Sequence, residues 1–181
     1  VAGAKALKGG HALAEGTQMG PAVSGDQLSE NLDWVETGRK EGAELACGGV
    51  RLNMETEGHY MAPTVFTQTT NAMRINREEM FAPIAAVIRV ADYDEGLSVV
   101  NDTRFGLTSG IVTTSLAKAN HFRRNARTGC VMVNLATAGT DYHVPFGGRG
   151  ESSYGPREQG RYAEEFYTAV KTSYVASGEP S

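Results

Sequence analysis

Charge of one sign, cysteine and long apolar runs are all scarce in this chain. Its 181 residues carry 17 Lys and Arg against 21 Asp and Glu, a formal net charge of −4. Such mild acidity gives no electrostatic footing for nucleic acid or an anionic membrane surface. No apolar stretch approaches the ~18 residues of a membrane-spanning helix. The N-terminus, V-A-G-A-K-A-L-K-G-G, lacks the apolar core of a secretory signal, so a cytoplasmic location is expected. It also begins without Met and already in a helical pattern, which points to a fragment or a processed chain. The two cysteines, Cys47 and Cys130, are too far apart for a metal pair or a C-x-x-C. Both read as small packed thiols, since an activated thiolate needs a base, a cation or a helix N-terminus beside it. His11, His59, His121 and His143 form no i,i+4 pair, so no metal site is expected.

What is present is an ordinary globular composition, 40% hydrophobic and 21% charged. A chain of this length can bury roughly 70% of its unfolded surface, enough for one core. Helix and strand alternate along it. Residues 26–41 place Leu28, Leu32 and Val35 on one helical face, with Ser24 as N-cap and Gly42 at the end. Glu44 to Cys47 reads as a strand, followed by a Gly48-Gly49 turn, and Thr64 to Thr67 reads as another after Pro63. Ala85 to Val90 reads as a strand short and apolar enough to be central. Asp92 and Glu95 form a capping pattern for a helix carrying Leu97 and Val100. Gly110 to Thr113 is a strand. Ser115 begins a helix with Leu116, Ala119 and Phe122 facing inward, and Gly129 ends it before a strand at Cys130 to Asn134. Pro156 suits the first turn of a last helix presenting Tyr162 and Phe166. Val170 to Val175 closes the pattern as a strand, and A-S-G-E-P-S reads as a frayed tail. Strands separated by helices point to β-α-β crossovers. The expected fold is α/β, an open, largely parallel sheet with flanking helices.

Two runs carry chemistry. The loop from Asn134 to Arg149 reads N-L-A-T-A-G-T-D-Y-H-V-P-F-G-G-R, and a loop of that length in a compact domain is functional or disordered. Its Tyr142, His143 and Phe146 favour function, because disordered segments are poor in such residues. The other run is Arg77 to Pro83, R-E-E-M-F-A-P, two carboxylates before an aromatic and a Pro-limited turn. Taken alone, such glutamates usually sit in water, and a Phe beside Pro is usually core.

Further motifs settle the comparison. D-Y-H-V-P-F-G-G-R and S-S-Y-G-P-R-E-Q-G-R-Y-A, with R-E-E-M-F-A-P, the N-D-T-R-F-G-L-T-S-G-I-V-T run at Asn101 to Thr113, and Met19-Gly20-Pro21, resemble in order the C-terminal part of an aldehyde dehydrogenase. Within that superfamily they are most similar to the α-ketoglutaric semialdehyde (2,5-dioxovalerate) dehydrogenases. The resemblance runs from about Met19 to Lys171 and implies NAD or NADP as cofactor and an aldehyde, a carboxylated semialdehyde, as substrate. By it, Glu79 accepts hydrogen bonds from both ribose hydroxyls next to the nicotinamide, a vicinal diol suited to two carboxylate oxygens. Phe81 presses on the nicotinamide ring. Phe146 lines the aldehyde tunnel, with Tyr142 and His143 near its mouth. Arg149 is the candidate for a substrate carboxylate, with Arg104 and Arg157 as alternatives. Glu158 matches a supposed proton-relay carboxylate, although here the run is G-P-R-E, one residue longer than the family's G-R-E. Ala82 replaces a usual Gly, and Gly150 stands where a Lys is common.

The Gly-Gln-x-Cys nucleophile segment, the general-base segment and a Gly-rich dinucleotide turn are not found in these residues. No catalytic residue is therefore assigned with certainty. The chain is expected to be the C-terminal portion of the catalytic domain over residues 1–168, with an oligomerisation strand and tail over 169–181. A homodimer or homotetramer is the implied state, inactive as an isolated piece. The alternative reading is a catalytically silent α/β module that binds full-length subunits or a ligand.

Overall fold

Helix formation in the first half starts from one hydroxyl. Ser24 is in an extended conformation and its side chain accepts a hydrogen bond from the Gln27 amide at 3.1 Å, the geometry of an N-cap. The computed structural model describes residues 1–178, and it divides into two compact units, Val1–Gly96 and Leu97–Ser181. The end of the expected frayed tail, residues 179–181, lies outside the described residues.

In the first unit, α1 (Ala2–Ala6) leads through a turn to α2 (Gly25–Lys40). Gly42, at φ +89°, follows the end of α2 as expected. Then come β1 (Glu44–Cys47), β2 (Arg51–Leu52), β3 (Tyr60–Met61), β4 (Thr64–Thr69), the short α3 (Arg74–Arg77) and β5 (Ile84–Ile88). The sheet order is β1-β4-β5, with β1 antiparallel and β5 parallel to β4, and β2 pairs antiparallel with β3. The central strand is therefore β4. Thr64, Val65 and Phe66 are all buried, as a strand covered on both faces requires. The strand expected to be central, β5, is at the edge, and it alternates half-buried and exposed residues. Its apolar run had suggested a two-sided burial that only β4 attains here. Leu28 and Val35 of α2 pack with Phe66, Met61 and Ile75 in one core, and Leu32 packs against it from the side.

Helix α4 (Tyr93–Asn101) spans the division between the units. Its start matches the capping expectation: Asp92 accepts from the Glu95 amide at 2.9 Å, while Glu95 accepts from Ala91 at 2.6 Å. The second unit continues with β6 (Thr108–Ile111), α5 (Leu116–Asn125) and β7 (Cys130–Val133), and β6 and β7 are parallel with Thr108 opposite Cys130. Parallel pairing across a helix is the expected β-α-β unit. The architecture is thus α/β with small open mixed sheets, and the parallel character is confined to the β4–β5 and β6–β7 pairs.

Four expectations change in this unit. Leu116, in the first turn of this ten-residue helix, is 76% exposed, whereas Phe122, near its other end, is buried. Gly129 does not end α5, which stops at Asn125 and passes into an extended Ala126. Pro156 starts no helix. A 3-10 turn (Gly160–Tyr162) leads into α6 (Ala163–Tyr167), after Glu158 has committed both backbone groups to Phe146. Finally, Val170 to Val175 joins no strand ladder among the described residues, and Val170, Tyr174 and Val175 are more than 90% exposed.

Candidate functional site

Each unit holds one cluster of the residues singled out by sequence. In the first unit, two motifs far apart in the chain meet. Met19, Gly20 and Pro21 line an apolar cavity of about 450 Å3 together with Phe81, Ala82 and Pro83. Phe81 is 80% exposed and sits at φ +49°. A bulky aromatic in the left-handed region costs on the order of 1–3 kcal/mol, and such residues gather at ligand clamps. The cost is not recovered by burying this ring in the core. A core role for Phe81, the bland reading of the motif, is therefore set aside.

The adjacent glutamates divide their tasks. Glu78 takes a two-pronged contact from Arg74, with Nε donating at 2.8 Å and Nη2 at 3.2 Å. This contact holds the Arg74 guanidinium above its ordinary pKa, chiefly through the hydrogen bond to Glu78. Arg74 also lies 5.2 Å from the Trp34 ring, so Glu78 belongs to a surface cluster on α2 and α3. Glu79 is exposed and pairs with no cation among the described residues, two residues before Phe81.

Sequence reading passed over the other wall of this cavity. Gln27 and Asn31 of α2 line it, Gln27 donates to the Asn31 Oδ1 at 2.9 Å, and Asn31 is 1% exposed. The signal was a polar i,i+4 pair inside an otherwise apolar helical face.

In the second unit, the long loop is tied to the segment that follows it. Phe146 donates to the Glu158 carbonyl at 2.8 Å and accepts from the Glu158 amide at 3.0 Å. The aldehyde-tunnel candidate and the proton-relay candidate are thus brought together, despite the extra residue in G-P-R-E. Tyr142 and His143 stay exposed at the loop tip, their rings edge to face with centroids 5.4 Å apart. The three arginines separate cleanly. Arg104 pairs with Glu151 at 3.4 Å, and Arg157 donates to the Gly148 carbonyl at 2.7 Å. Arg149 is exposed and held through its backbone, its amide donating to the Gly106 carbonyl at 2.9 Å and its carbonyl accepting from the Ser152 amide at 3.2 Å. The loop also starts from a fixed point. Asn134, at φ +56°, accepts from the Thr113 amide at 2.8 Å and donates to the Thr113 carbonyl at 2.9 Å. Its side chain continues the β6–β7 ladder while the main chain turns away.

Comparison with known proteins gives the family. The sequence profile of the aldehyde dehydrogenase family matches residues 1–173. The chain is 46% identical over 160 residues to an α-ketoglutarate semialdehyde dehydrogenase of Haloferax volcanii, covering 87% of this chain and 33% of that protein. Among solved structures, an aldehyde dehydrogenase from Bacillus cereus superposes with a TM-score of 0.89 at 35% identity, over 97% of this chain and 35% of that one. A betaine aldehyde dehydrogenase from Staphylococcus aureus, solved in complex with NAD+, gives 0.87 at 28% identity, over 92% of this chain and 33% of its own. The chain spans about a third of the length of the curated relatives it matches.

Proposed function

The chain belongs to the aldehyde dehydrogenase family, and from that premise we propose that it supplies the nicotinamide-ribose and aldehyde contacts of an NAD(P)-dependent dehydrogenase for a carboxylated semialdehyde, such as α-ketoglutaric semialdehyde. The observation that carries the proposal is Phe81, exposed and backbone-strained beside an apolar cavity, with the exposed carboxylate of Glu79 two residues away.

These residues fit a nicotinamide nucleotide. An exposed aromatic face can press on a flat ring, and two carboxylate oxygens can accept from two neighbouring hydroxyls. When bound, NAD or NADP would supply the hydride acceptor for oxidation of the aldehyde. Glu79 then orients the ribose by charge-assisted bonds, and Phe81 limits where the ring can lie and keeps water off one side. In the other unit, Phe146 provides apolar contact to the aldehyde chain, and Tyr142 and His143 flank its approach. Arg149, exposed in this unit, meets the remote carboxylate as a planar donor pair. Glu158, whose backbone pairs with Phe146, receives a relayed proton in this reading.

Neither cysteine in this chain is arranged as a nucleophile. Cys47 Sγ faces the Pro63 carbonyl at 3.8 Å and Cys130 Sγ the Gly147 carbonyl at 3.9 Å, whereas an activated thiolate needs a base or cation beside the sulfur. The 181-residue chain alone is therefore expected to form no NADH or NADPH from any semialdehyde, whereas the complete enzyme that contains it is expected to oxidise α-ketoglutaric semialdehyde. Absorbance at the reduced-nicotinamide band reads both arms. Turnover by the isolated chain overturns its reading as an incomplete portion, whereas none by the complete enzyme against semialdehydes overturns the substrate reading and leaves the silent binding module.

A further inference from the structure

One arginine and three glycines fasten the loop on which the aldehyde-side contacts stand. Phe146 and Glu158 exchange both backbone hydrogen bonds, so their side chains share one face of a short two-stranded bridge. Their chain neighbours Gly147 and Arg157 turn to the opposite face. There Nη1 of Arg157 donates to the Gly148 carbonyl at 2.7 Å. The guanidinium lies over a floor without side chains. A Cβ on Gly129 would collide with the Gly147 carbonyl oxygen and sit 2.7 Å from Arg157 Nη1, and one on Gly147 would sit 2.8 Å from the same nitrogen. Two more bonds close the turn, from the Gly148 amide to Ser153 Oγ at 2.6 Å and from the Arg149 amide to Gly106 at 2.9 Å.

We propose that Arg157 is a positioning residue. Its guanidinium latches the Gly147–Gly148 turn and thereby sets Phe146 and Glu158 on the other face, without touching substrate itself. The inference rests on reading this loop as the aldehyde-side contact. It also answers which arginine meets a substrate carboxylate, because the half-buried Arg157 is committed to a backbone carbonyl while Arg149 is exposed. A flat guanidinium suits the glycine floor, whereas a lysine ammonium reaches one carbonyl as a point charge and leaves the floor uncovered.

The test compares Arg157→Lys and Arg157→Met with the wild-type 181-residue chain by amide hydrogen exchange. Loss of a charged hydrogen bond predicts roughly 10- to 100-fold faster exchange at Gly148, Arg149 and Glu158 in the Met variant. A smaller rise is expected with Lys, and an unchanged rate at Val131 to Val133 of β7. Wild-type rates at the loop, or an equal rise through β7, overturn the latch. If Arg157→Met does not fold, Arg157→Lys decides alone by the same two criteria. A second arm uses the complete enzyme with α-ketoglutaric semialdehyde and an uncharged aldehyde of similar length. A latch lowers kcat for both substrates by the same factor in Arg157→Lys, whereas a rise in KM confined to the charged substrate makes Arg157 a carboxylate ligand and overturns the proposal. A wild-type enzyme that oxidises neither substrate refutes the proposed function instead, and the exchange arm still reads the latch.

Discussion

Phe81 and Glu79 are two residues apart, yet physical chemistry asks different things of them. The aromatic ring sits where its backbone is strained, so its position is enforced by the turn between α3 and β5. The carboxylate is exposed, so its worth appears only when hydroxyls reach it. In the complete enzyme, Glu79→Gln should therefore raise the cofactor KM and slow hydride transfer, while ester hydrolysis stays largely intact. The lost charge-assisted bond should cost about 1.5–3 kcal/mol. Dehydrogenase kinetics equal to wild type would show that the motif is only structural. A second single-residue test concerns the core. A Cβ on Gly38 of α2 would lie 2.8 Å from Cζ of Phe66, a ring with no exposed surface. Gly38→Ala should lose about 1–3 kcal/mol by overpacking, despite its better helix propensity, as read by the denaturant midpoint. A more stable variant would mean that the α2–β4 contact gives way easily.

At the scale of elements, local chemistry was readable wherever a side chain closes its own turn. The Ser24 cap, the Asp92–Glu95 pair and the end of α2 at Gly42 all stand as sequence pattern places them. Ser24→Ala should accordingly cost about 1 kcal/mol, measured as a lower unfolding midpoint, and Ser24→Asp should restore most of it. A Ser24→Ala variant as stable as the wild type would mean that tertiary packing holds the helix start unaided. Pattern failed where partners decide. Apolar content made β5 look central, but centrality follows from which strands flank it, and β4 has both neighbours. Leu116 fits the inward stripe of α5, yet its side chain stays exposed while Phe122 of the same stripe is buried. Pro156 fits a helix start, but a pairing between Glu158 and Phe146, twelve residues apart, claims that backbone first. The candidate site was legible to a similar degree. Each motif is a contiguous run, and the Gln27–Asn31 wall carried only a weak local signal, a polar i,i+4 pair, while the Arg157 latch needs the loop to fold back on the segment after it.

At the scale of the whole molecule, the segment after α6 is the part least accounted for by its own fold. Thr168 closes α6 through its hydroxyl, and the chain then runs from Val170 to Val175 with its valines and Tyr174 in solvent. V-K-T-S-Y-V is β-branched and aromatic, with Lys171 as its one charge. A monomer that leaves such a segment uncovered presents unpaired backbone groups along an apolar strip, which native proteins usually charge, bulge or cover. One lysine is slight protection. Pairing with a second copy satisfies backbone and side chains together, and closed symmetric dimers, or tetramers built from them, are the commonest arrangement. We therefore propose that residues 169–181 carry the assembly contact. Light scattering on the chain with and without those residues should give a mass that falls to that of a monomer in the truncated form, with far-UV circular dichroism of α2 and α5 helicity retained. A truncated chain with the mass of the intact one would place the assembly contact elsewhere. A chain monomeric both with and without the segment would mean that Val170 to Val175 finds its cover within a longer polypeptide.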